Sequence, residues 1–198
     1  MLPAPRLQAQ LARCPCRTFS GKCFRVVHLE ELLSAKTPKL LFDLGPKISK
    51  GGQRFSPPDA HCGLYVSTEH ATAGAEFADG LKPWNKQPPG KHAAFDMDVS
   101  LVSVLDLTAA TIRRFLKTSK PEVQSPWEGY AALNGGIWPP TWTLGHAAFV
   151  SRRFDGILFP STKNPSGTCL LIFTQRLVAG SSHVTIHKQD SSIWERLP

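Results

Sequence analysis

Seventeen prolines, gathered in stretches such as SPPD, KQPPGK and WPPTW, punctuate this chain. Proline carries no backbone N–H and fixes φ at about −65°, so each cluster ends a regular element or confines it to one side. What remains between them is short. The pattern predicts an α+β fold, a single mixed domain of short strands with flanking helices and no regular βαβ alternation. At 198 residues and 41% hydrophobic content there is material for one domain with a full core. No apolar run is long enough to cross a bilayer, no internal repeat is visible, and the expected location is cytoplasmic.

The elements can be placed from local pattern. Phe24 to Leu29 reads as a first strand, followed by a short helix and an irregular connection broken by Pro38 and Gly45. The run CGLYVS reads as a buried strand. STEHATAGAEFADG is the clearest helix: Ser67 or Thr68 caps it, Glu69 suits its first turn, and Gly80 ends it. Its Ala71, Gly74, Ala75 and Ala78 form a face of very small residues, predicted to let the helix approach a neighbour closely. Residues 92–108 read as a bent strand and 109–117 as a basic amphipathic helix. Pro121 to Trp142 reads as a long ordered loop and LGHAAFVSRR as a helix. DGILFPS and TCLLIFTQRLV read as two strands of a hairpin turned by NPSG.

Charge is unevenly spread. The formal net charge is +8, yet Arg6, Arg13, Arg17, Lys22 and Arg25 all precede the first acid, Glu30. Residues 1–22 therefore read as a basic N-terminal arm, loosely ordered, with an organelle transit peptide as the other reading. Residues 23–198 form the domain proper, only mildly basic, which suits an anionic small molecule at least as well as nucleic acid. The five cysteines are odd in number and follow no secretory signal, so reduced thiols are expected. CPCRTFSGKC contains no CxxC pair and no second cluster follows, so no metal site is expected. The chain also lacks GxxxxGK[ST], GxGxxG and HExxH, which removes the commonest nucleotide-triphosphate, dinucleotide and zinc-protease motifs.

One stretch breaks local preference three times. In GGQRFSPPDAHCGLYVSTEHATAGAEF, Arg54 sits in a Gly/Pro-rich loop, Tyr65 in an apolar strand, and Glu76 two turns inside an Ala-rich helix. Taken singly these are a surface arginine in a turn, a core tyrosine and a salt-bridged edge carboxylate. Together they supply a cation for phosphate, an aromatic plate and a semi-buried carboxylate. That set suits cleavage of a positively charged N-glycosidic bond.

The ordered fragments FRVVH, GGQRFSPP, LYVSTEHATAGAEF, VLDLT, GHAAF and GILFPS…GTCLLIF resemble the RES-domain family over about Phe24 to Phe173. That family comprises toxin halves of bacterial toxin–antitoxin pairs, and takes its name from an Arg, a Glu and a Ser. The resemblance implies an ADP-ribosyltransferase-like fold and consumption of NAD+ by phosphorolysis, hydrolysis or transfer to a protein. It implies catalytic roles for Glu76 and Arg54, and NAD+ binding by Arg25, Arg54, Tyr65 and Ser161, with His146 either facing the site or packing. Gln53 stands between Gly52 and Arg54 where the family loop reads GGR. The resemblance further implies no resident cofactor, NAD+ as substrate and inorganic phosphate as one candidate co-substrate. The implied partner is a cognate Xre-type helix-turn-helix antitoxin, which would supply the sole link to nucleic acid. Phosphate, water and a protein side chain stay open as acceptors. The reading from another class is a non-catalytic nucleotide or nucleic-acid binder, which would keep Arg54 but have no need of Glu76.

Overall fold

The computed structural model describes residues 2–34, 52–58, 60, 61, 63–80, 91–188 and 192–198. The connection broken by Pro38 and Gly45, the KQPPGK loop up to Gly90, Gly51 and Cys62 lie outside those residues. Helix α1 (Ala4–Leu11) leads into β1 (Arg17–His28) and α2 (Leu29–Ser34). Then come β2 (Leu64–Ser67), α3 (His70–Gly80) and the long β3 (His92–Asp106). Four helices follow: α4 (Ala110–Phe115), α5 (Lys120–Val123), α6 (Tyr130–Leu133) and α7 (Pro140–Val150). The chain ends with β4 (Gly156–Pro160), β5 (Thr168–Ile172), β6 (His183–His187) and β7 (Ile193–Leu197).

The strands run in the order β1-β2-β5-β4-β3-β6-β7, and β1 also pairs with β3. Five strands therefore close on themselves, with the β6–β7 hairpin attached outside along β3. The β1–β3 pairing is long and antiparallel, from Arg17 opposite Val104 to His28 opposite His92. By contrast β1 meets β2 at one residue pair, Phe24 with Ser67. The ring is loosest at that seam.

Side-chain alternation sorts the strands onto two cores. In β4 and β5, Ile157, Phe159, Cys169 and Leu171 face the helices, while Leu158, Leu170 and Ile172 face the opposite cluster with Leu64, Val66 and Met97. A one-residue slip of β5 would exchange the two sets, so its register is strongly specified. All five β4 residues are buried, which is why that strand reads as an unbroken apolar run.

Four sequence expectations change here. Residues 1–22 are not a free tail: α1 buries Leu7 and Leu11 in the helix-side core, and β1 already begins at Arg17. Two leucines four apart lie on one helix face, a stripe that outweighs the surrounding charge, and Arg6 and Arg13 stay exposed. The expected loop from Pro121 to Trp142 instead carries α5, α6 and the start of α7. Pro121 and Pro140 sit in first turns, where the missing N–H costs nothing, and Ser119 with Glu122 forms a capping box. The last hairpin strand stops at Ile172 and passes into a 3-10 turn, Thr174–Arg176. The β6–β7 hairpin has no counterpart in the sequence reading; its Val184 and Ile186 bury the inner face.

Candidate active site

Arg54 stands at the corner of a tight turn. Gln53 and Ser56 exchange backbone hydrogen bonds at 2.7 and 3.1 Å, leaving Arg54 and Phe55 at the tip. Phe55 is fully buried and meets Phe159 edge-on, while Arg54 points into a cleft. Gly52 has φ +74°, and a Cβ there would meet the Ser56 carbonyl and the Trp142 ring at 2.8 and 2.9 Å. The Phe55 carbonyl lies so close to Gly145 of α7 that no side chain fits between them. The Trp142 indole N–H donates to the Gln53 carbonyl at 2.7 Å, so the inserted glutamine is tied into the wall. Gly52 thus serves packing of the turn.

Tyr65 braces the same turn. Its hydroxyl accepts from the Phe55 N–H at 2.9 Å and lies 3.1 Å from the Ser56 hydroxyl. Its ring packs beside Phe159 while still lining the cleft. Burial pushes the phenol up to about 12, so it stays protonated. Arg25, from β1, donates to the Tyr65 carbonyl at 2.7 Å across the loose seam.

Glu76 comes from α3, and the orientation of that helix differs from expectation. The small-residue face is turned outward: Ala71, Gly74 and Ala78 are exposed, and a Cβ on Gly74 would meet nothing within 4 Å. The inward face carries Thr72, Ala73, Glu76 and Phe77. Ser67 and Thr68 do not cap the helix; Thr68 donates to the Thr168 carbonyl of β5, and α3 starts at His70. Glu69 precedes the helix and accepts from Thr72 at 3.2 Å, outside the cleft lining.

The Glu76 carboxylate is held by one oxygen. Its Oε1 accepts from the Ser161 hydroxyl at 2.6 Å and the Thr162 N–H at 3.3 Å, with the Cys169 thiol at 3.8 Å. Among the described residues, Oε2 accepts from none. Ser161 is fully buried. Its oxygen also accepts the Lys163 and Asn164 N–H groups at 3.1 and 3.0 Å, and its carbonyl accepts from Gln124 at 2.7 Å. The structure therefore puts Ser161 behind Glu76, where the resemblance implied contact with the substrate.

Phe24, Arg25, Arg54, Tyr65, Glu76 and Phe77 line a cleft of about 220 Å³ at the β1–β2 seam, with Cys169 at its wall. A larger groove of about 960 Å³ lies near Phe95 and Trp194, but no predicted site residue lines it, so convergence of polar groups favours the smaller cleft. Arg54 donates to the Ser125 carbonyl at 3.1 Å and to the Thr162 hydroxyl at 3.2 Å. Burial lowers its pKa from the ordinary value while the Glu76 carboxylate opposes that. Guanidinium and carboxylate sense each other without a direct ion pair, so both can answer a ligand.

His146 lies off the cleft, packed 5.5 Å from the Trp138 ring and 6.2 Å from His61. Arg25, Arg54, Tyr65 and Glu76 come together; His146 does not. Thr162, Cys169, Gln124, Thr72 and Asn164 are the participants that sequence reasoning missed. Thr72 alone carried a legible signal, being four residues before Glu76 and hence on its face of the helix. Among the described residues no helix is long and apolar enough to cross a membrane.

A family model described as the RES domain matches residues 23–194, and the chain belongs to that family. A search of curated proteins finds no significant match. Five solved chains match significantly. One is a chain of the M. tuberculosis MbcT-MbcA toxin-antitoxin complex, at TM-score 0.64 and 17% identity, over 96% of this chain and 90% of that one. At that identity the likeness is one of fold.

Proposed function

We propose that this RES-domain protein is the toxin of a toxin–antitoxin pair and that it cleaves the nicotinamide–ribose bond of NAD+. One observation carries the reading: Glu76 is clamped through Oε1 while the rest of its carboxylate faces a cleft that also holds Arg25, Arg54 and Tyr65. The half-buried carboxylate is thus fixed in place by the protein and still has acceptor capacity open to the cleft.

The division of labour follows from charge. Breaking the C1′–N bond sends the bonding pair to nicotinamide, which leaves neutral, and positive charge builds on the ribose. Glu76 Oε2 accepts a ribose hydroxyl and stabilises that charge; its fixed position means no reorganisation at the moment of reaction. Arg25 and Arg54 engage the pyrophosphate through charge-assisted hydrogen bonds. Tyr65 holds the Arg54 turn and offers an apolar ring edge to the sugar or the base. The cleft, about 220 Å³, suits the nicotinamide riboside end, with the adenosine half lying over the mouth. An anionic oxygen of phosphate then bonds to C1′, or a water oxygen does so and releases its proton to solvent. A basic cleft of this kind also suits an antitoxin tail with an acidic or carboxylate end.

The deciding experiment incubates the pure protein with NAD+ in phosphate, in phosphate-free buffer and with a protein lysate, and identifies products by mass. Nicotinamide with ADP-ribose 1″-phosphate indicates phosphorolysis, nicotinamide with ADP-ribose indicates hydrolysis, and a labelled protein indicates transfer. No nicotinamide in any arm overturns the reading. Co-expression with a neighbouring gene product that restores growth tests the pairing separately.

A further inference from the structure

Glu76 and Thr72 are four residues apart on α3, so they stack on one face of the helix. Both bond to the same turn, residues 161–167, which joins β4 to β5. Glu76 takes Ser161 and Thr162; Thr72 takes Asn164, whose side-chain amide donates to the Thr72 hydroxyl at 2.9 Å. The helix is therefore fastened to the turn by two rungs, one helical turn apart.

The direction of every bond in the second rung is determined. Thr72 is fully buried, and its hydroxyl donates to Glu69 at 3.2 Å, so it must accept from Asn164. Asn164 consequently presents its NH2, and its oxygen accepts from Ser166 at 3.2 Å. The backbone N–H of Asn164 meanwhile donates to Ser161 Oγ, as does that of Lys163. Two incoming N–H groups occupy both lone pairs of the Ser161 hydroxyl, and its hydrogen is donated to Glu76. Asn164 thus grips the helix with its side chain and aims the serine with its main chain. Gly167 closes the turn through hydrogen bonds with Ser161 and Asn164, and its backbone presses so closely on Thr72 that no Cβ fits.

We propose that Thr72 and Asn164 are positioning residues for Glu76: their bond fixes the spacing between α3 and the 161–167 turn, and so holds the carboxylate in its one-oxygen clamp. Neither residue lines the cleft. The proposal rests on the NAD+-cleaving reading for its kinetic test, and a structural arm keeps it decidable without that reading.

Thr72→Val keeps the side-chain shape and removes the hydroxyl; Thr72→Ser keeps the hydroxyl. Followed by nicotinamide release, Thr72→Val and Asn164→Ala should each lower kcat about tenfold with KM within about twofold, because a carboxylate set loosely loses transition-state stabilisation. Thr72→Ser should recover most of the loss. In a Glu76→Gln background the same changes should move kcat by less than about twofold, since the group being positioned is already gone. Crystal structures of Thr72→Val and Asn164→Ala should show the Ser161–Glu76 contact lengthened from 2.6 Å past hydrogen-bond range. Retention of that contact in both variants overturns the proposal, whatever the protein does to NAD+. So does an equal loss of kcat with and without Glu76, which would mark the pair as general scaffold. Should Thr72→Val fail to fold, Asn164→Ala at a half-exposed site carries both arms.

Discussion

On one wall of the cleft Arg54 rides a turn wedged in carbon; on the other Glu76 rides a helix whose outer side faces water. Phe55, Trp142 and the bare backbone of Gly145 hold the first wall, with the Tyr65 hydroxyl as a brace. The second wall is fixed to its neighbour by side-chain hydrogen bonds at Thr72 and Glu76. A cation that binds a constant charge needs only to be placed, and packing places it. A carboxylate that must answer a transient charge needs orientation to a fraction of an ångström, which directional hydrogen bonds supply. The two walls should fail differently when disturbed: the first by unfolding, the second by losing rate.

The sharpest break is Gly145→Ala. A methyl there collides with the Phe55 carbonyl, which belongs to backbone and cannot swing aside. We expect a loss of roughly 3–5 kcal/mol and a melting temperature lower by on the order of 10 °C. A melt indistinguishable from the parent protein would show that the packed wall yields easily.

The packed wall should also be the acid-sensitive one. His61 is buried face-to-face on Phe149 at 4.5 Å and edge-on to Phe173. Burial first, then neighbouring His146 and Arg176, lowers its pKa from 6.5 to about 4. As pH falls below 6.5 the unfolded chain takes up a proton that the folded chain refuses, so stability drains away between about pH 6.5 and pH 4. The full loss is about 3 kcal/mol. His146, lowered by burial too, acts in the same direction. Urea unfolding across that range should show the slope, and His61→Phe should flatten it; an unchanged slope would remove His61 as its source.

Glu76→Gln sharpens the contrast from the other side. It keeps size and most hydrogen bonds, so the melt should hold while kcat for nicotinamide release falls about a hundredfold at nearly constant KM. Arg54→Ala should act mainly on KM, since the pyrophosphate charge hardly changes along the reaction. Near-full turnover in Glu76→Gln alongside loss in Arg54→Ala would make Glu76 structural.

The smallest effect belongs to the outer side of α3. Gly74→Ala has empty space around it and lies mid-helix, so it should stabilise by about 0.5–1 kcal/mol and leave kinetics alone. A fall in activity would mean that this exposed side touches substrate or partner.

Much of this molecule was written locally. The nearly unbroken apolar runs GILFP and TCLLI mark buried strands, because the pleat sends neighbours to opposite faces and here both faces are core. The spacing of Arg54, Tyr65 and Glu76 within one stretch survives folding because a turn, a strand and a helix of known lengths connect them. Where an element faces was not local. The small residues of α3 were compatible with a close-packed face, yet Thr72 and Phe77 turned inward, because the partner for that side is a turn some 90 residues later in the chain. Leu7 and Leu11 become core only once α7 offers a surface. Ser161 looked like a ligand contact until the 161–167 turn folded back and spent its hydroxyl on Glu76. Periodicity depends on the chain's own geometry and can be read in one dimension; the partner of a polar atom is supplied by a distant segment, and only the closed fold brings it within 3 Å.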